Sequence, residues 1–458
     1  MSTAQGLKPS ALRRLSTFLT QTKPPDPSAP AESSLANFLA TAKEKYLSDI
    51  RATPSKGSEW TVVMGNEAGD LDSLASSIAY AWVQSEIGKK PSIPLIQIAR
   101  DDLNLRAENL HALKLAGITN PAKQLLSTTD VLDVKPFPSS TFALVDHNRL
   151  GVAFSADNPG AKVVAVIDHH EDENFYADSD PRKVAPAGSC SSHVANLYPK
   201  EAGMPKELAT LLLSAILVDT GGLREGGKAI QADRDAASYL IPLSTLVDSI
   251  SSSTISSLSS TTPVVFTNIP EVKRLSDDLD HKKSDVSHLG AWDLLRRDYK
   301  EYTYTLNWHP AAPAIKAGLA TVPLKLKAWG AGGKLEAEAQ RWMEHQGLSV
   351  LGVLTSFRDA KKFGANGQGK HRREMAWFVR DATEAQTLQV DDVAARLWKG
   401  LEGSDEIRVR AHKKMGLSKS GGGSTPDRGK IYEQGNANAT RKATAPLLKN
   451  IMESSEPS

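Results

Sequence analysis

The sequence lacks most of the features that would take a chain out of the ordinary globular class. Among its 458 residues there is one cysteine, Cys190, so an internal disulfide framework is excluded. No apolar run approaches the roughly 20 residues of a membrane-spanning helix, and a bilayer-embedded domain is not expected. No long apolar stretch of secretory-signal type stands near the N-terminus. Excess charge is scarce: 55 Lys+Arg against 53 Asp+Glu give a formal +2 with a pI near 8.3. That balance is wrong for a nucleic-acid binder, so any anion binding must come from local clusters. Acids are missing from Met1 to Pro25, where Lys8, Arg13, Arg14 and Lys23 lie among serines and threonines. Leu12, Leu15, Phe18 and Leu19 there have helical spacing, a faint likeness to a mitochondrial transit peptide. A flexible arm leading into a proline-rich spacer is the expectation, with the protein in the cytoplasm.

What is present points to a two-domain α/β protein. Hydrophobic residues make up 40% and charged residues 24%, a globular balance, and the length exceeds one ordinary core. Ser33 to Ile50 places Leu35, Phe38, Leu39, Ala42, Tyr46 and Leu47 at helical spacing. Strands are expected from Trp60, over 93–99, 141–146 and 163–167, alternating with helices over 72–86, 188–199 and 206–219. Strand alternating with helix at this pitch is a doubly wound parallel sheet. Ser244 to Thr262, with nine serines and four threonines, marks a boundary, although Leu246, Ile250, Ile255 and Leu258 leave room for a helix. The expected division is an arm over 1–32, a catalytic domain over 33–243, a linker over 244–269 and a smaller α/β domain over 270–455. The active site is expected in the cleft between the two domains.

Four segments carry chemistry. Val164-Ala165-Val166-Ile167-Asp168-His169-His170 reads as a buried strand opening at its C-terminal end into a polar site, where open α/β sheets place ligands. Val62-Val63-Met64-Gly65 leads to Asn66, Asp70 and Asp72-Ser73. Phe142 to Val145 ends in Asp146, and the apolar run from Leu211 ends in Asp219. Carboxylates at the mouths of apolar elements, joined by imidazole, form a divalent-metal inventory.

In order and spacing, Asn66-x-x-x-Asp70-x-Asp72-Ser73, Asp146, Asp168-His169-His170 and Asp219 resemble the motifs of the DHH phosphoesterase superfamily. The branch most resembled is that of fungal cytosolic exopolyphosphatases, relatives of family II inorganic pyrophosphatases, with a DHHA2-type C-terminal domain. The resemblance runs from about Trp60 to about Pro446. It implies two divalent ions, Mg²⁺ or Mn²⁺, with Asp146 and Asp219 bridging, Asp70 on one ion, and Asp72 and His169 on the other. Catalytic roles then fall to Asp146, His169, His170 and Asp219, with His170 on the scissile phosphate. The superfamily commonly has histidine where this chain has Asn66. An amide there either joins a carboxylate-rich metal shell or fixes the turn.

Polyphosphate carries roughly one negative charge per phosphate, so the second domain must supply cations. Lys300 in Arg296-Arg297-Asp298-Tyr299-Lys300 and the pair Arg441-Lys442 in Thr440-Arg441-Lys442 resemble phosphate-binding motifs of these enzymes. Arg372 and Arg373 are further candidates. Gly364-x-x-x-x-Gly369-Lys370 has Walker-type spacing, but His371 replaces the required Ser or Thr and a strand-like run follows. His281 to His288, with Lys282 and Lys283, reads as an exposed polar run, and Gly421-Gly422-Gly423 as a flexible loop. Cys190 among small residues reads as packing.

The expected activity is therefore release of terminal orthophosphate from inorganic polyphosphate by a monomer that binds neither nucleic acid nor membrane. A pyrophosphatase and a prune-type cyclic-nucleotide phosphodiesterase are the same-class alternatives. A non-catalytic polyphosphate-binding scaffold is the alternative of another class.

Overall fold

The computed structural model describes residues 33–258, 264–363, 369–382, 388–417 and 428–455. The arm 1–32, the end of the serine-rich stretch, the glycine-rich run 364–368 and Gly421-Gly422-Gly423 lie outside them.

The first lobe is built on six parallel strands: β1 (Thr61–Met64), β2 (Ser92–Ile96), β3 (Leu126–Ser127), β4 (Thr141–Val145), β5 (Lys162–Asp168) and β6 (Arg182–Val184), in the order β3-β2-β1-β4-β5-β6. Alternate strand residues feed opposite faces. Val63, Ala143, Val145, Ala165 and Ile167 enter one core with the helices Leu71–Trp82 and Lys206–Thr220. Val62, Met64, Leu95, Phe142, Leu144 and Val166 enter the other with Tyr46 and Ile50 of the helix Ser34–Arg51. Burial on both faces is why these strands read as continuous apolar runs. The winding reverses between β1 and β4, and the crevice at that reversal, beyond the strands' C-terminal ends, is where such sheets bind ligands. β3 and β6 were not expected; at two and three residues they carry no readable period. The expected helix over 72–86 ends at Trp82 and passes into a π turn, Val83–Ile87.

The serine-rich stretch is not all linker: Ser252–Leu258 is helical, and Ile250 and Leu258 enter the first core. The expected start of the second domain, Pro270, instead opens a helix, Pro270–Ser284, whose Val272, Leu275 and Leu279 also pack into the first core. The second core begins beyond it, with Val286. That helix was not expected from the sequence, and nothing local in its residues says which core it would face.

The second lobe is a mixed sheet of β7 (Tyr299–Thr305), β8 (Ala314–Val322), β9 (Val350–Thr355), β10 (Phe357–Phe363), β11 (Gly369–Val379), β12 (Val409–Ala411) and β13 (Arg428–Gln434). Its order is β12-β13-β11-β9-β8-β7, with β10 paired to β11; β8 and β9 run parallel and the other pairs antiparallel. The helices Val390–Glu402 and Arg441–Glu453 cover one face, and Ala291–Arg297 and Lys334–Gln346 the other. In β7, β10 and β13 charged residues interrupt the apolar alternation, so these strands leave no readable period in the sequence.

A buried charge network ties the lobes together. Arg297 donates to Glu108 (3.0 Å) and to the carbonyls of Leu105 (2.9 Å) and Lys283 (3.0 Å). Glu108 also lies 3.6 Å from Arg106. Among the described residues no helix is long and apolar enough to cross a membrane.

Candidate active site

The turn after β1 is held from both sides. A Cβ on Gly65 would come within 2.5 Å of Ser73 Cβ, so only glycine lets the strand end lie against the helix start. There Ser73 Oγ accepts from Asn66 N–H (3.0 Å) and donates to Asp146 Oδ2 (2.6 Å). Asn66 uses both ends of its amide: Oδ1 accepts from Ala68 N–H (2.9 Å), and Nδ2 donates to Asp146 Oδ2 (2.8 Å). It therefore fixes the turn and positions Asp146. Arg106 holds the Ala68 carbonyl (2.8 Å) and Asn109 the Gly69 carbonyl (2.9 Å). Arg106 stands at the start of the helix Ala107–Leu115, yet its side chain makes no cap there and grips this turn instead.

The turn delivers two carboxylates. Asp70 caps the helix Leu71–Trp82, accepting from Ser73 N–H (3.1 Å). Asp72, 2% exposed, reaches the start of the helix Cys190–Leu197, accepting from Ser189 Oγ (2.7 Å), Cys190 N–H (2.6 Å) and Ser191 N–H (2.8 Å). Cys190 is buried, as a packing residue should be.

Across the reversal, Asp146 has φ 61°, a left-handed conformation that aspartate tolerates better than most residues. Its Oδ2 is taken by Asn66 and Ser73. Its Oδ1 is buried with no hydrogen-bond donor aligned on it among the described residues. That oxygen lies 3.2 Å from His169 Nε2 and 3.6 Å from His170 Nδ1. Asp72 Oδ2 is 3.8 Å from the same His169 nitrogen. His169 Nδ1 sits 3.0 Å from the Ala187 carbonyl. A carbonyl only accepts, so Nδ1 carries the hydrogen and Nε2 is the atom turned toward the acids. Asp168 takes no place in this cluster. Its oxygens are filled by Asn148 Nδ2 (2.6 Å), His169 N–H (2.7 Å) and His170 Nδ1 (2.8 Å), and it orients His170.

Asp219 ends the apolar helix Lys206–Thr220, and Lys283 Nζ approaches its Oδ1 at 3.9 Å. The polar run over 281–288 is largely exposed, as expected, but the helix packing just described turns the partly exposed Lys283 toward Asp219.

The electrostatics show negative charge in excess. Burial and the neighbouring charge of Asp72 push the Asp146 carboxyl well above the usual range. Desolvation and the charge of Asp72, opposed by Lys283 and reinforced by Asp70, raise Asp219 to about 8. Burial would lower His169, but Asp146 and Asp72 outweigh it and raise the ring to about 10. Asp168 goes the other way: burial opposes ionisation, yet His170 and Asn148 hold it down to about 2. A divalent cation fits this donor set. It would meet the unpartnered Asp146 oxygen, hard carboxylate ligands and an imidazole nitrogen, and would relieve their mutual repulsion.

The second lobe's cations are distributed unevenly. The charge of Lys300, on β7, bears on His147, next to Asp146. Arg441 opens the helix Arg441–Glu453 and pairs with Asp298 (2.9 Å), while Lys442 beside it is exposed. Arg372 is engaged by Asp359 (3.2 Å) and Glu433 (3.4 Å). Arg373 donates to the Ala437 (2.7 Å) and Thr355 (3.4 Å) carbonyls and pairs with no carboxylate among the described residues. Lys370, of the rejected Walker-type spacing, lies on strand β11 and not at a helix start.

Comparison with known proteins matches residues 60–216 to the DHH family, N-terminal domain, and residues 277–451 to the DHHA2 domain. A Schizosaccharomyces pombe protein named "Putative exopolyphosphatase" is 28% identical over 71% of this chain and 81% of its own length. "Exopolyphosphatase PRUNE1" of Mus musculus is 25% identical over 89% of this chain and 79% of its own. A Shouchella clausii protein named "Probable manganese-dependent inorganic pyrophosphatase" is 31% identical over 39% of this chain and 53% of its own.

Proposed function

The chain belongs to the DHH family and carries a DHHA2 domain, and from that premise we propose that it is a metal-dependent exopolyphosphatase releasing terminal orthophosphate from linear polyphosphate. Asp70, Asp72, Asp146, His169 and Asp219 would hold two divalent ions, Mg²⁺ or Mn²⁺, with Asp146 and Asp219 shared. When bound there, such ions would supply the Lewis acidity that activates a water and the positive charge that neutralises the terminal phosphate oxygens.

The chain's own residues supply the rest. Asp168 fixes His170 through Nδ1, so His170 presents Nε2 to the terminal phosphate. Lys300, Arg441, Lys442 and Arg373 balance the charge of the phosphates that follow. The leaving group is itself a stable phosphate oxyanion, which needs charge stabilisation more than a proton. No side chain acts as nucleophile, and no covalent intermediate forms.

One observation carries this reading: Asp146 Oδ1 is buried, without an aligned donor, between two imidazoles. The test is orthophosphate release from long-chain polyphosphate, tripolyphosphate, pyrophosphate and cyclic AMP, each with Mg²⁺ and with Mn²⁺. Fastest release from the linear polyphosphates supports it. Turnover of pyrophosphate alone, or of cyclic AMP alone, replaces the substrate; no turnover of any of the four overturns the enzymatic reading.

A further inference from the structure

Asp233 is wholly buried in the helix Gln231–Leu240 and has no part in the site as described so far. Both its oxygens accept from the same backbone N–H, that of Gly188, at 3.0 and 2.9 Å. This N–H belongs to the peptide group whose carbonyl, Ala187 O, faces His169 Nδ1 at 3.0 Å. The contacts run in one line: carboxylate, peptide N–H, peptide C=O, imidazole Nδ1–H, and then Nε2 facing Asp146 and Asp72. Gly188 is required for the approach, since a Cβ there would lie 2.6 Å from Thr220 Cγ2 and 2.8 Å from Asp233 Oδ2. Thr220 follows Asp219, so this peptide is wedged between the end of one ligand-bearing helix and the buried acid.

We propose that Asp233 is a positioning residue for His169, acting through the Ala187–Gly188 peptide. It holds the ring in its Nδ1–H form with Nε2 toward the metal. A negative charge on the peptide N–H polarises the group and makes its carbonyl a stronger acceptor, so the ring becomes a better donor to a cation. Histidine ligands usually have a carboxylate or carbonyl directly behind them. Here the carboxylate acts through one peptide unit. The proposal rests on His169 being a metal ligand.

Asp233 also has a structural side, because it accepts from Ser192 Oγ (2.6 Å) and Ile230 N–H (2.8 Å). The experiment separates the two roles with D233N and S192A. S192A disturbs the same buried acid but leaves its contact with Gly188. Mn²⁺ affinity is measured by calorimetric titration and stability by thermal unfolding of the metal-free proteins. D233N is expected to weaken Mn²⁺ binding by ~10- to 100-fold, and S192A by less than ~3-fold even where both lower the unfolding temperature. Equal Mn²⁺ affinity in D233N and wild type, or equal losses in D233N and S192A, overturns the relay and leaves the metal site standing. A wild-type protein that binds no Mn²⁺ overturns the site itself and the relay with it. Should D233N not fold, nitrogen-15 NMR of the histidine-labelled, Zn²⁺-loaded wild type decides. A protected His169 Nδ1–H with metal on Nε2 is the expected result, and the opposite tautomer overturns the proposal.

Discussion

The two halves of the proposed site are made differently. In the first lobe Asp72, Asp146 and Asp168 are each at most 2% exposed, and most of their oxygens carry aligned donors from the backbone or from buried Asn and Ser. In the second lobe Lys442 is exposed, and the half-buried Arg373, among the described residues, leans on carbonyl oxygens alone. A buried acid with fixed partners has one geometry, whereas a solvated cation acts through distance and screening. Substitutions in the first half should therefore abolish function, and those in the second should attenuate it.

The strongest test of that contrast is Asp146→Asn. Asparagine accepts the positive φ and keeps the volume, so the fold should stand while orthophosphate release falls by ~10³-fold or more. Wild-type turnover in the folded variant would remove Asp146 from the centre. A second effect confined to the acidic half is pH dependence of stability without metal. Asp219, raised from 3.8 to about 8, and His169, raised from 6.5 to about 10, both hold protons more tightly folded than unfolded. Their contribution is complete below the unfolded values and is lost as pH rises through the folded ones. The metal-free protein should thus melt at progressively lower temperature from about pH 5 to about pH 9, and saturating Mn²⁺ should flatten the slope. A slope of opposite sign would mean that the acids are already compensated.

On the cationic half, Arg441→Ala should raise KM by roughly tenfold while kcat falls less, and the salt dependence of KM should weaken. An unchanged KM would assign Arg441 to its pair with Asp298 alone. The finest distinction is between neighbours. Arg373→Ala should raise KM for long polyphosphate by about threefold, but Arg372→Ala by less than about twofold, because two carboxylates already hold Arg372. Equal effects, measured with one polyphosphate preparation, would erase the difference that their ion pairing implies.

Particular residues show how far the chain could be read unaided. The roles of Asp70, Asp72, Asp146, His169 and Asp219 came from the resemblance to the DHH motifs; the residues alone showed acids and imidazole at the mouths of apolar elements, because apolar periodicity survives in a single sequence. The parallel sheet was legible for the same reason. Lys283 was not, since nothing local says that the helix Pro270–Ser284 turns toward the first core. Asn66 left two readings open, an altered metal shell or an amide that fixes the turn, and only its distances to Ala68 and Asp146 show both ends of the amide engaged. Arg372 and Arg373 are indistinguishable as letters; their strand partners separate them.

The sequence by itself determined the elements and the acids at their ends, because hydrophobic period and turn chemistry act over a few residues. Only the tertiary structure decided which core the helix Pro270–Ser284 joined, which arginine kept its charge unspent, and that Asp233 stands one peptide behind His169. Those contacts join residues from tens to nearly two hundred positions apart. They form through burial and charge pairing across the folded molecule, which no local pattern records.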